Sequence, residues 1–189
     1  MSPRPMARPG GRSARVQAAV HTAVRELQDE VGRDALTVPL IAKRAGVTPS
    51  TVYRRWGDLQ ELLSDVAVEH LRPDTDPDDL GSLSADLTTW AEQFLDEMSS
   101  PAGRAYLRDA LLGDPDGTNA GRCSTYAADQ ITAILTRATT RETPEPVPTT
   151  EHVLDHLVAP LIYRILFRPT PTPLTPTYAH ALVADLLGS

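Results

Sequence analysis

Arg54 and Arg55 stand side by side near the end of TVPLIAKRAGVTPSTVYRRW, residues 37–56. Three short hydroxyl side chains, Thr48, Ser50 and Thr51, and the phenol of Tyr53 precede them. Guanidinium and hydroxyl groups are donors suited to oxyanions and to the polar edges of flat heterocycles. Taken alone, two arginines on one helix are usually a solvated face. The spacing around them changes that reading. A helix ends in Ala45, Gly46 makes a tight turn, and a second helix starts behind Thr48, which is the helix-turn-helix layout. Ala45 is small enough for the two helices to approach, and Gly46 can take the left-handed conformation the turn requires. Val47 and Val52 would lock the second helix onto the first. Its N-terminal residues then project outward, where the major groove of a duplex can receive them.

Other chemistry is poorly supported. There is no Ser/His/Asp signature, glycine-rich phosphate loop or metal cluster, so no catalytic residue and no cofactor is expected. His152 and His156 lie one turn apart, a metal-compatible spacing, but no Glu follows His152 and no cysteine is near. They read as surface or interface histidines, and no metal is expected. The single Cys123 excludes an internal disulfide framework and reads as a structural thiol in a reducing cytoplasm. The N-terminal MSPRPMARPGGRSARVQ is basic but has no apolar segment behind it, so it is not a secretory signal. No apolar run is long enough to span a membrane.

The elements that must position the arginines follow from apolar spacing. Val16, Val20, Ala23, Val24, Leu27 and Val31 mark one face of a helix that Ser13 could cap and Gly32 could end. Thr37 can cap the next helix, with Pro39 in its first turn and Leu40, Ile41 and Ala45 inward. Thr48 and Pro49 start a brief helix that Gly57 ends, and Asp58 caps LQELLSDVAVEHL, with Leu59, Leu62, Leu63, Val66 and His70 along its face. RPDTDPDD then breaks the chain. Beyond it, Leu83, Leu87, Trp90, Phe94 and Met98 mark a helix that Pro101 ends, and another runs from Tyr106 to Leu112. DPDGTNAG is a turn cluster, and CSTYAADQITAILTRAT, EHVLDHLVAPLIYRILF and YAHALVADLLGS are helical, separated by Pro-rich loops. There is no convincing strand alternation and no internal repeat. The fold class is all-α, with about nine helices.

Charge is divided unequally along the 189 residues. Residues 1–60 carry ten Lys/Arg against five acids, and residues 61–189 carry eight against twenty. A basic head on an acidic body favours a polyanionic partner at one end only.

The string LIAKRAGVTPSTVYRRWGDLQELL resembles the signature of the TetR family of transcriptional regulators. The match covers roughly residues 13–66. The resemblance implies a flexible basic arm at 1–12, a three-helix helix-turn-helix DNA-binding domain at 13–58 and a helical ligand-binding and dimerisation domain at 59–189. It places Thr48, Ser50 and Thr51 at the exposed start of the recognition helix and Tyr53 on a phosphate. Arg54 and Arg55 are the candidates for reading bases, because a guanidinium can grip guanine O6 and N7 together. Thr37 can present its hydroxyl and N–H to a phosphate, and Lys43 and Arg44 can meet the backbone. Arg4, Arg8, Arg12 and Arg15 could follow the backbone or enter a minor groove. Two positions depart from the pattern: Leu59 stands where many relatives carry a phosphate-binding Lys, and Pro39 replaces a polar residue.

For the body, the resemblance implies an effector pocket and a homodimer. Trp90, Phe94 and Met98 form an aromatic stripe that is either plain core or the lining of an apolar pocket. Tyr106, Tyr126 and Tyr163 each pair an apolar body with a hydroxyl, useful for a ligand and equally at home in a bundle. The helices near 150–167 and 177–187 would pair with those of a second copy. The expected function is a cytoplasmic repressor, released from a palindromic double-stranded operator by a small-molecule effector. Its rivals are a DNA-binding regulator with no small-molecule sensor and an enzyme.

Overall fold

A computed structural model describes residues 11–141, 147–168 and 174–188, and within them every regular element is helical. Arg4 and Arg8 of the basic arm, the side chain of Arg12, and the middles of both Pro-rich loops lie outside the described residues. The chain divides into two compact units, the first ending at Val66 and the second starting at Ala67.

The first unit contains α1 (Gly11–Val31), a short 3-10 turn (Arg33–Ala35), α2 (Val38–Arg44), α3 (Pro49–Trp56) and the larger part of α4 (Leu59–His70). Val20, Val24 and Leu27 of α1 meet Ile41 and Ala42 of α2, Val52 and Trp56 of α3, and Leu62, Leu63 and Val66 of α4 in one core. Burying an aliphatic or aromatic side chain of this size contributes about 1.5–3 kcal/mol, and this core holds the two short helices, which could not persist alone. Thr37 caps α2 by accepting the N–H of Leu40 at 3.4 Å, and Asp58 caps α4 by accepting that of Glu61 at 2.9 Å. Ser13 does not cap α1: the helix begins at Gly11, so Ser13 lies within its first turn and its hydroxyl meets another partner.

The second unit holds α5 (Leu83–Ser99), α6 (Pro101–Leu112), α7 (Thr118–Thr140), an eighth helix and α9 (Pro176–Leu187). The eighth helix, α8, opens as α over Thr150–Val153, widens to a π turn over Leu154–Val158 and resumes as α over Ala159–Phe167. Its buried residues Val153, Leu157, Leu161 and Ile165 recur every four positions. A strict four-residue repeat overshoots an α-helical turn, and the wider π turn restores the phase. α5 lies at the centre, packed by α6, α7, α8 and α9. Pro101 does not merely end α5 but opens α6, where its missing N–H costs nothing. A Cβ at Gly103 would come within 2.1 Å of the Glu97 carbonyl, so only glycine lets α6 start so close to α5. The expected turn DPDGTNAG is half helical: α7 starts at Thr118, and Asp114 accepts the N–H groups of Asn119 at 3.0 Å and Ala120 at 2.8 Å.

Candidate nucleic-acid interface

Between α2 and α3 the chain turns at Gly46, whose φ of 68° is left-handed. The N–H of Val47 reaches back to the carbonyl of Ala42 at 2.9 Å and closes the turn. α3 then buries Val52 and Trp56, four residues apart, so Ser50, Tyr53 and Arg54 are exposed on its other side. Thr48 stands at the cap position, but its side chain does not cap the backbone. Its hydroxyl instead meets those of Ser50 at 3.0 Å and Thr51 at 2.9 Å, which gathers three hydroxyls at the mouth of α3. Tyr53 is 49% exposed, and among the described residues nothing holds either its hydroxyl or the guanidinium of Arg54.

Arg55 is placed differently. Its two terminal nitrogens donate to Ser13 Oγ at 2.7 Å and Gln17 Oε1 at 2.5 Å, both on α1, and its guanidinium lies over the Trp56 ring at 5.1 Å. Gln17 in turn donates to Asp65 Oδ2 at 3.2 Å, and the same oxygen takes the indole N–H of Trp56 at 2.8 Å and lies 3.0 Å from His21 Nε2. Asp65 of α4 therefore binds the end of the recognition helix and the middle of α1 at one point. Trp56 and His21 are both buried, so an acceptor is needed for the indole N–H. Sequence reading missed this network. A faint signal was available, since His21 and Asp65 are polar residues next to the buried Val20 and Val66.

Arg44 is exposed but engaged, donating to Glu30 at 2.8 and 2.6 Å and to Glu26 at 3.2 Å. Hydrogen bonding to Arg44 holds the Glu30 carboxyl below its ordinary value. Lys43 is exposed in the last turn of α2, and Thr37 is exposed with its oxygen occupied by its own cap. Pro39 is exposed, while Leu59 is half-buried and packs against the core.

In the second unit the six pocket candidates fall in three places. Trp90 and Met98 are buried in the main core, where Phe94 stacks on Trp90 at 5.1 Å and the Trp90 N–H reaches Gln130 at 3.2 Å. Tyr106 and Tyr126 are half-buried against a small cluster of Ala67, Val68 and Ala110, together with Leu71 and Cys123. Around it, His70 stacks on Tyr106 at 4.0 Å, and Arg122 donates to the Tyr126 hydroxyl at 3.2 Å. Burial raises the Cys123 thiol above its ordinary value, which favours an inert thiol. Tyr163 is 56% exposed on α8, because the buried positions Leu161 and Ile165 turn it outward.

A family model described as bacterial regulatory proteins, tetR family, matches residues 21–66, and one described as tetracyclin repressor-like, C-terminal domain, matches residues 77–186. The chain belongs to the TetR family. It is a DNA-binding transcriptional regulator. Among relatives of this TetR-family chain, the HTH-type transcriptional regulator AqdR of Rhodococcus erythropolis is 30% identical over 53% of this chain and 49% of its own length. The match thus spans about half of AqdR. An uncharacterized HTH-type transcriptional regulator of Mycobacterium tuberculosis, Rv1556, is 29% identical over 85% of this chain and 80% of its own. The solved TetR-family transcription regulator SCO0332 shares the fold at a TM-score of 0.67 and 24% identity, over 92% of this chain and 97% of that one. A putative TetR-family regulator from Mesorhizobium loti does so at 0.56 and 17%, over 95% and 98%. No helix among the described residues is long and apolar enough to cross a membrane.

Proposed function

We propose that the TetR-family chain is a repressor that binds a near-palindromic operator as a homodimer and leaves it when a small molecule binds the second unit. The observation that carries the DNA half of this reading is the outer face of α3, where Arg54, Tyr53, Thr48 and Ser50 are exposed together and the half-buried Thr51 adds a third hydroxyl. Arg54 reads a guanine edge, Tyr53 and the hydroxyls of Thr48, Ser50 and Thr51 take phosphates, and Thr37, Lys43 and Arg44 flank the backbone. Arg55 keeps α3 in register on α1 and reaches DNA by exchanging its two neutral acceptors for a phosphate, since a charged partner makes the stronger bond.

The dimer follows from α8. His152, His156, Ala159, Tyr163 and Phe167 recur at spacings of four and three and are all exposed, an aromatic stripe that needs cover. Two α8–α9 pairs about a two-fold axis form a four-helix bundle and set two recognition helices about 34–36 Å apart, or a multiple of that. The effector binds where Tyr106 and Tyr126 meet the small cluster. His70 and Arg122 supply polar contacts there, and Leu71 links that cluster to the core of Trp90, Phe94 and Met98. An effector releases DNA only if it binds the released state more tightly than the bound one. Such a regulator acts in the cytoplasm, beside the chromosome.

Selection of bound sequences from random DNA, repeated with a small-molecule library, tests the whole reading. An inverted repeat that is lost with one compound class supports it. An inverted repeat that no compound releases leaves a regulator without a sensor, and the absence of any enriched sequence sinks it.

A further inference from the structure

Building on an Arg55 that reaches a phosphate, we propose that Asp65 of α4 is a positioning residue for DNA binding. Through the amide of Gln17 it aims that guanidinium without pairing with it. The amide has two unlike ends. Its Nε2 donates to Asp65 Oδ2 at 3.2 Å, and its Oε1 accepts from Arg55 Nη2 at 2.5 Å. Turned over, the same amide would set an oxygen against the carboxylate and an NH2 against a guanidinium, which only donates. The charge of Asp65 therefore fixes which end Arg55 meets. The same Asp65 oxygen takes the indole N–H of Trp56 at 2.8 Å and lies 3.0 Å from His21 Nε2, one turn beyond Gln17 on α1. An ionised carboxylate only accepts, so that ring nitrogen carries the proton. Trp56 follows Arg55 in α3, so one oxygen steadies both the backbone that carries the guanidinium and the amide that receives it.

Charge explains why an amide stands between the two. Arg44, held directly by Glu30 and Glu26, must give up carboxylates before it meets a phosphate. Arg55 rests on the neutral oxygens of Gln17 and Ser13 instead. A guanidinium carries five N–H donors, so a phosphate can meet the remaining ones before either neutral acceptor is given up. Holding the long side chain in one pose beforehand lowers the entropic cost of binding. The Asp65 side chain is only 20% exposed, and its charge is met by donors inside the DNA-binding unit. An ordinary acidic side chain in such a unit opposes a polyanion, and neutralising it tightens binding. At Asp65 the sign is reversed: without its charge the amide is free to turn, Arg55 loses its aim, and binding weakens.

Fluorescence anisotropy of the full chain with a labelled duplex of arbitrary sequence at low salt tests this, because a phosphate contact is independent of sequence. Asp65→Asn keeps the shape and removes the charge. It should weaken binding by about threefold to tenfold in the parent chain, and by less than about twofold in an Arg55→Ala chain. Gln17→Ala leaves Asp65 on Trp56 and His21 and should show the same dependence on Arg55, so the test survives an Asp65→Asn chain that does not fold. Unchanged or tighter binding in either folded variant would overturn the proposal. So would equal losses with and without Arg55, since Asp65 would then act only through the fold of α3. An Arg55→Ala chain that binds as tightly as the parent would remove the phosphate contact itself, and the aiming of Arg55 with it, while leaving the face of Arg54 and Tyr53 untouched.

Discussion

In the unit ending at Val66, Arg54 is exposed and Arg55 rests on the neutral oxygens of Ser13 and Gln17, whereas in the second unit Arg137 and Arg141 turn onto the buried carboxylate of Asp86. Arg141 Nη2 sits 2.6 Å from Asp86 Oδ2 and 2.9 Å from Asp79 Oδ1, and Arg137 donates to the carbonyls of Pro77 and Asp78, each at 2.6 Å. Asp86 also takes the N–H of Leu80 at 2.7 Å. These bonds strap residues 77–80 onto α5 and α7. The same side chain therefore has opposite duties. A guanidinium satisfied by a buried carboxylate is fixed structure, because releasing it leaves an uncompensated charge. One that faces water, or rests on an amide and a hydroxyl, keeps most of its capacity for an incoming phosphate.

The sharpest way to break this comparison is Asp86→Ala. It strands two arginines whose buried Nε of Arg137 and Nη1 of Arg141 already have no hydrogen-bond partner among the described residues. Removing one member of a buried ion cluster typically costs about 3–5 kcal/mol. Chemical denaturation followed by circular dichroism should show that loss. A change of under about 1 kcal/mol, the range of surface pairs, would mean the cluster is effectively solvated.

Next in size are the two neighbours on α3. Arg54→Ala should weaken operator binding by about 1–3 kcal/mol, relax the preference at one base position and leave thermal stability unchanged. Arg55→Ala should act in the other sense. It removes two hydrogen bonds and the contact with Trp56, so stability falls by about 1 kcal/mol. DNA affinity then drops similarly for all sequences. Selected-sequence profiles of both variants beside melting curves check the pair. If Arg55→Ala changed base preference while Arg54→Ala did not, their roles would be exchanged.

Helix-turn-helix geometry was legible in the sequence because it is set by neighbours: Gly46 for the turn, Val52 and Trp56 one turn apart for the buried face, Thr37 and Asp58 for the caps. The whereabouts of Arg55 were not, since its acceptors on α1 are 38 and 42 residues away. The same holds for Asp86, whose partners Arg137 and Arg141 come from a different helix and its end, more than fifty positions later. Spacing also put Trp90, Phe94 and Met98 on one apolar stripe and offered three tyrosines beside it as candidates, but it could not say which faces meet one another. Only the packing of α5 against α7, α8 and α9 separates the core stripe from the cluster at Tyr106 and Tyr126.

The smallest effect is expected at Arg44, whose guanidinium is held by two carboxylates of α1, and it refines the contrast. Its bonds to Glu30 and Glu26 lie at the surface, so they hold it weakly against water, yet a phosphate must still displace two like charges to reach it. Arg44→Ala should therefore reduce operator affinity less than either change on α3 and leave the salt dependence of binding almost unaltered. Its effect on stability has a definite pH course. Arg44 lowers the Glu30 carboxyl in the folded chain, so the contribution is present above the ordinary carboxylate value of about 4.3 and fades as pH falls through the lowered one. Melting curves of parent and variant should differ slightly at pH 7 and converge well below pH 4. A gap that persisted in acid would show that Arg44 acts through packing on α1 and not through its charge.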